Sequence, residues 1–586
     1  MSQNSPYKAL LTIDSPEAPP HWALLQRELL RTESLACERF FEHYFDERGY
    51  LLCVPRWGGD DGPDDAAENM LNWTMLHALG GSDTVLDLYK KGWEGHLRQY
   101  TEAKTQSVPL ARDGMYYKEF PVMFDWMHNG EGFSAFFLQG LSDPDDKAFS
   151  NRTRRYAGLY MGDDPSAPNY DEDRKIIRSM FNGSRGPLLR KTTGLDWAGD
   201  PIEIEGRFDP GHGERSYEEM LQHFEPYNDV VGDHPLNMST TTLAFNAYAL
   251  TGEQRYYDWA VGYLDTWIDH TKNNGGIIPS NIGLDGSIGG ECDGKWYGGV
   301  YGWGFSVYDP GTKEIHHRPF MMPRIPYSFG NGLLMTGDHR YIDTWRGVVD
   351  AVNSNAKMMS GQKVYPRMYG NDGWYDFRDK PFDEGALAVY YWSMDKSDRK
   401  RVTNDWLDFL DGQNESYPVD ALEGDLKSVR SKMDGVRLDT ASPDTRMSDD
   451  MNHLTPAITG TLTQLMLGGL PTGREGHPLH SRVRYFDPQR HRAGIPENVA
   501  ALVTQMTATE TAITFANVSQ VEGYTVIVQG GAYGEHQIVT ARANGQMTDV
   551  SDSYCSIHLT PGTVTEIKLT MHRYSNQPTL RFPWIG

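Results

Sequence analysis

The chain has 586 residues, and 80 Asp plus Glu against 55 Lys plus Arg leave a formal charge of −25 at pH 7. A surface this acidic repels phosphate backbones and anionic lipid headgroups, so nucleic acid and membranes are excluded as partners while uncharged ligands are not. The length allows roughly two to four domains, or one large helical domain with an accessory one. Four cysteines, Cys37, Cys53, Cys292 and Cys555, stand far apart and in no metal-ligand spacing, which suits a reducing compartment. The first residues carry no basic-then-apolar leader pattern, and no apolar run reaches membrane-spanning length, so the expectation is a cytoplasmic protein.

Residues 1–20 read as an extended lead-in punctuated by proline. From His21 to Glu47 apolar residues recur at helical spacing and predict an amphipathic helix. Next comes VPRWGGDDGPDDAAENMLNWTMLHALGG, where glycine and Pro63 make a turn and acidic residues crowd a helix start. Asp60, Asp61, Asp64 and Asp65 can be read as capping groups for free helix N–H bonds or as chemistry, with Arg56 and Trp57 as sugar contacts. Further on, Asp125, His128, Asn129 and Glu131 interrupt an apolar run, so they either cap a buried helix or face an enclosed cavity. Burial there would raise the pKa of Glu131.

An internal repeat carries the architecture. NAYALTGEQRYYD at 246–258 returns as NGLLMTGDHRYID at 331–343, 85 residues later, and MLHALGGSDTVLDLYKKGW and FFLQGLSDPDDKAFSNRTRRYAG echo it. In each, a helix ends at a glycine turn, a short acidic segment follows, and an aromatic-containing helix returns, which is an αα-hairpin. Between two of these hairpins lies Asn274–Pro319, dense in glycine, with Trp296, Tyr297, Tyr301 and Trp303 and ending in His316, His317 and Arg318. Aromatic faces beside short polar groups suit a sugar ring, apolar on its C–H faces and polar at its rim. The helical pattern continues to about residue 475. Residues 476–498 then read as a linker rich in Gly, Pro, Arg and His, and 499–586 alternate with period two as a small antiparallel sandwich.

Helical hairpins with Gly-Asp turns, aromatic glycine loops and a terminal β-sandwich resemble the (α/α) toroid carbohydrate-active enzymes, which include polysaccharide lyases and six-hairpin glycosidases. The resemblance spans residues 25–470 and 499–586 and implies a mainly α toroid over 21–475, with its active site among the inter-helix loops. Two chemistries compete. β-Elimination from a uronate needs a base, an acid and a group that neutralises the carboxylate. His234 or His317 would be the base, Tyr301 the acid, and Asn237 with Arg318 the neutralisers. Here the first reading is elimination, with Arg56, Trp57, His128, Asn129, Glu131, Trp296, Tyr297 and Trp303 as sugar contacts. Hydrolysis instead needs two carboxyl groups, with candidates Glu131, Asp196, Glu291 and Glu384 and Asp60 or Asp65 as partner. His234 has a plainer reading as a helix cap. A sugar isomerase or epimerase and a non-catalytic glycan-binding protein stay open, as does homo-oligomerisation. No metal or cofactor is expected, since Walker, dinucleotide and HExxH motifs are absent.

Overall fold

The computed structural model describes residues 10–58, 61–105, 107–202, 215–225, 231–298, 306–309, 314–317, 324–474 and 476–584, with the backbone alone for 306–309 and 314–317. The chain folds as an (α/α) toroid carrying an antiparallel β-sandwich. Among the described residues twelve helices build the ring: α1 (His21–Tyr44), α2 (Trp73–Leu79), α3 (Asp83–Glu102), α4 (Trp126–Ser142), α5 (Lys147–Leu159), α6 (Thr241–Thr251), α7 (Gln254–Asn273), α8 (Arg324–Thr336), α9 (Arg340–Asn353), α10 (Ala386–Ser393), α11 (Tyr417–Leu438) and α12 (Gly460–Leu467). Odd and even helices take different places because their sequences bury different amounts of surface. Helix α7 buries one stripe, Tyr256, Ala260, Tyr263, Leu264, Trp267 and Thr271, at three- and four-residue spacing. Helix α6 buries nine of its eleven residues and sits inside the ring. Helices α11 and α1 pack along each other and α12 meets α2, which closes the circle.

The repeat is the turn from an inner helix to the next outer one. Gly252 and Gly337 end α6 and α8 with φ of 71° and 68°, a left-handed conformation that glycine adopts without a Cβ penalty. Such turns are short, for instance 80–82, 143–146, 252–253 and 337–339, and they gather at one end of the ring. The outer-to-inner connections 45–72, 103–125, 160–240, 274–323, 354–385 and 439–459 are long and gather at the other, where the N-termini of the inner helices converge.

Ten strands form the sandwich: β1 (Leu11–Ile13), β2 (Val483–Asp487), β3 (Arg492–Ala493), β4 (Val499–Met506), β5 (Glu510–Asn517), β6 (Tyr524–Gly530), β7 (Gln537–Ala543), β8 (Gln546–Asp552), β9 (Tyr554–Leu559) and β10 (Val564–His572). One sheet has the order β1-β9-β6-β2-β3 and the other β4-β5-β10-β7-β8. The boundaries expected from sequence therefore move. The lead-in supplies β1, paired parallel to β9, and the expected linker supplies β2 and β3. The strand β2 was hidden because it is buried at all five residues and shows no alternation. The sandwich covers the short-turn end: Tyr485 donates to the Met466 carbonyl at 2.7 Å, Leu580 N–H to Ala249 at 2.8 Å, and Gln26 exchanges two hydrogen bonds with Ala501. The long-loop end stays clear of it.

A hairpin whose second limb, from Gly476, falls in the expected linker runs up inside the ring. Leu470 N–H bonds the His480 carbonyl at 2.9 Å. Nearer the tip, His477 stacks on Tyr327 of α8 with centroids 3.6 Å apart, and Gly476 N–H donates to Ser134 of α4 at 3.1 Å. No helix among the described residues is long and apolar enough to cross a membrane.

Candidate active site

Three elements of the long-loop end bring chemistry together: the short helix Pro63–Glu68 ahead of α2, the first turn of α4, and the first turn of α8 with the tip of the inner hairpin. Asp125 caps α4, accepting from the N–H groups of Met127 at 2.7 Å and His128 at 3.2 Å, and its Oδ1 also lies 3.0 Å from His128 Nδ1. One helical turn on, Glu131 meets the Arg324 guanidinium at 3.0 Å, both side chains almost wholly buried. Arg324 also donates to the Arg474 carbonyl at 2.8 Å, and Arg474 pairs with Glu68 at 2.8 Å. Asp64, His128 and Glu131 each offer one polar atom within 4.8 Å of the others.

The electrostatics separate these groups. Burial pushes Asp64 up to about 7, with His128 opposing and Glu131 adding to the shift. Burial likewise holds Glu68 well above the carboxylate range, reinforced by Glu131. Burial would make His128 neutral, but Asp125, then Asp64 and Glu131, outweigh it and raise the imidazole to about 10. At neutral pH the cluster thus holds a cationic His128 and Asp64 as an acid near its titration point, with Glu131 seated on Arg324. The spacing of the three groups is one a small cation could bridge; in this arrangement His128 and Arg324 supply the positive charge.

The four aspartates of the 60–65 turn divide between the two readings. Asp65 accepts from Gly62 N–H at 2.9 Å and so caps the start of its own helix, and Asp61 accepts from the Ser448 backbone N–H at 3.0 Å and from its hydroxyl. Asp64 faces His128 and Glu131, and Asp60 lies outside the described residues. Of the expected sugar contacts, Glu131 and His128 join the cluster. Asn129 beside them is fully buried. Arg56 donates to the Asp200 carbonyl. Trp57 is 1% exposed, gives its N–H to the Asp196 carbonyl at 3.1 Å and packs on Phe124, so it has no open face for a sugar. Asp196 is wholly buried, held by Arg190 and capping Gly194–Ala198. Glu291 is exposed in the glycine loop, and Glu384 uses its carbonyl to hold Trp345.

The elimination set is not gathered by the described residues. His234 caps the 3-10 helix Pro235–Thr240, its Nδ1 accepting from Leu236 N–H at 3.1 Å, which is the plainer of its two readings. Asn237, 0% exposed, donates to Asp233 at 2.8 Å, an acid also held by Tyr263 and Ile177 N–H. His317 ends the strand Glu314–His317 and pairs with Tyr369 in the adjacent strand. Tyr301, Trp303 and Arg318 lie outside the described residues.

Trp296 and Tyr297 do form an aromatic group, with Tyr369 4.7 Å and 5.1 Å away and Trp374 5.0 Å beyond it, all half-buried except where they meet. The glycine loop is held in place by Ser280, whose hydroxyl donates to the Trp296 and Gly298 carbonyls at 2.6 Å. At Gly289 (φ 69°) a Cβ would lie 2.7 Å from the backbone of Gly294 and Lys295, so only glycine fits. Both the loop and the Tyr369 hairpin are outer-to-inner connections, so they share the long-loop end with the acid cluster. Glu68, Arg324 and Arg474 escaped the sequence reading, and Asp64 was one of four aspartates open there between capping and chemistry. The one signal was Arg324, a cation opening an apolar helix, where the dipole disfavours positive charge unless an anion faces it.

A family model described as "Domain of unknown function (DUF8034)" matches residues 11–405. The chain belongs to this family. No curated protein matches it. Among solved structures, the family member is similar to a D-mannose isomerase (12% identity, TM-score 0.35, 63% of this chain and 83% of that one). A sugar epimerase from a ruminal bacterium (11%, 0.32, 67% and 93%) and a β-1,3-1,4-glucanase from Paenibacillus sp. X4 (11%, 0.32, 78% and 99%) are similar in the same degree.

Proposed function

We propose that this protein is a carbohydrate-active enzyme that hydrolyses a glycosidic bond at the long-loop end of the toroid. The observation that carries the reading is the meeting of Asp64 and Glu131 within 4.8 Å, one buried and near its titration point, the other paired with Arg324. Two carboxyls whose surroundings differ in this way suit an acid and a nucleophile. Asp64 protonates the leaving oxygen, and Glu131 attacks the anomeric carbon. Asp64, deprotonated by that step, then takes a proton from the water that releases the sugar. Oxygens of the two carboxyls lie within 4.8 Å of each other, less than the gap of about 6.5–9.5 Å that admits a water at once, so double displacement with retention of the anomeric configuration is the expected course. His128 and Arg324 balance the carboxylates, and Trp296, Tyr297, Tyr369 and Trp374 offer ring faces to further sugar units.

The reading differs from β-elimination in its products. Neutral and uronate-containing oligosaccharides incubated with the protein should yield new reducing ends with no ultraviolet absorbance from a C4–C5 double bond. Reducing ends accompanied by that absorbance would overturn hydrolysis in favour of elimination. The carboxylate mechanism needs no metal, so dialysis against a chelator should leave turnover unchanged.

A further inference from the structure

Far from the acid cluster, where the toroid meets the sandwich, Arg482 is 0% exposed. None of its three guanidinium nitrogens has a hydrogen-bond partner among the described residues. Its guanidinium carbon lies 5.7 Å from the Tyr391 ring centre of α10, and its stem packs against Gly468 at the end of α12. A second guanidinium, Arg573 at the end of β10, comes to the same tyrosine, donating to the Tyr391 carbonyl at 2.9 Å and to Tyr574 Oη at 3.2 Å, and its Nε also lacks a partner among the described residues.

Buried polar atoms nearly always find a partner, and an uncompensated buried charge costs several kcal/mol. Among the described residues no carboxylate forms an ion pair with Arg482. Glu535, the carboxylate that reaches Arg573, spends its oxygens on the N–H groups of Ala532 and Tyr533, and burial lifts it to about 7. His480 and His536 are held neutral by burial. Burial and then Arg573 push Arg482 down only to about 9, so it remains a cation at neutral pH. A water accepts from two donors at most and leaves the charge.

We propose that a monovalent anion of the halide class is buried between Arg482 and Arg573, joining the toroid to the sandwich. The unpartnered nitrogens of Arg482 and Arg573 supply its donors, and the rings of Tyr391 and Tyr574 stand beside the two guanidiniums.

The test is thermal unfolding of the full chain in sodium gluconate against sodium chloride or bromide at one ionic strength. Because a ligand bound only to the folded state stabilises by mass action, the melting temperature should rise by about 2 °C or more across the halide titration and then follow the logarithm of concentration. Arg482→Met should lose that response and melt above the wild-type protein in gluconate. The same halide response in wild-type and Arg482→Met protein, or none in either, would overturn the site. Should the variant not fold, crystals of wild-type protein soaked in bromide decide: an anomalous peak between the two guanidiniums is expected, and a water alone there refutes the anion.

Discussion

Asp64 lies beside a cation, His128, and a second carboxylate, Glu131, yet burial dominates its titration and raises it to about 7. An acid raised in this way binds its proton more tightly folded than unfolded. Its burial is therefore without cost below about pH 4, and stability is lost as pH climbs from there towards 7. Asp64→Asn removes the ionisation. The variant should melt with the wild-type protein near pH 4 and above it at pH 8, measured by thermal denaturation. A variant that melts lower at pH 8 would show that ionised Asp64 and His128 are a net stabilising pair. Residue identity alone could not select Asp64 from its neighbours. Asp61, Asp64 and Asp65 are chemically alike, and their roles diverge only because Ser448, 387 positions beyond Asp61 in the chain, claims Asp61 while Gly62 N–H claims Asp65.

Among the elements, the inner hairpin 470–480 sets the floor of the site. Its tip places Arg474 on Glu68 and its carbonyl on Arg324, so the position of the Glu131 partner depends on how closely the hairpin approaches α4. That approach passes through two glycines. Gly476 has φ 65°, and a Cβ on it would lie 2.4 Å from Gly130 Cα. Gly476→Ala should destabilise the fold by about 2 kcal/mol, through overpacking and a left-handed backbone together, and lower turnover as Arg474 and Arg324 shift. Unchanged unfolding and turnover would mean that the hairpin relaxes without disturbing the site. Its second limb, 476–480, was read as linker because glycine, proline and histidine are the composition of exposed connections. Its burial is a property of the ring around it, which no local pattern encodes. The helical hairpins were legible for the opposite reason: Gly252 and Gly337 mark turns that need a left-handed residue, and Tyr256 and Tyr341 recur at the same offset on the outer helices.

At the scale of the molecule, the two ends of the ring are unlike. Short glycine turns and the sandwich occupy one, and long loops with half-buried aromatics and the acid cluster occupy the other. The apolar core runs without a break from the ring into the sandwich, so the accessory domain stiffens the closed end and leaves the loops free to shape a cleft. The toroid and the loop end were readable from periodicity and glycine-aromatic composition. The pairing of Asp64 with Glu131 was not, since it joins hairpins 67 residues apart in sequence through Arg324 from a third. The acid–nucleophile pair is tested most directly by turnover of Asp64→Asn and Glu131→Gln on an oligosaccharide the wild-type protein cleaves, with circular dichroism to verify folding. Each should lose about 10²–10⁴-fold in kcat while remaining folded. Folded variants that both turn over at the wild-type rate would contradict the assignment.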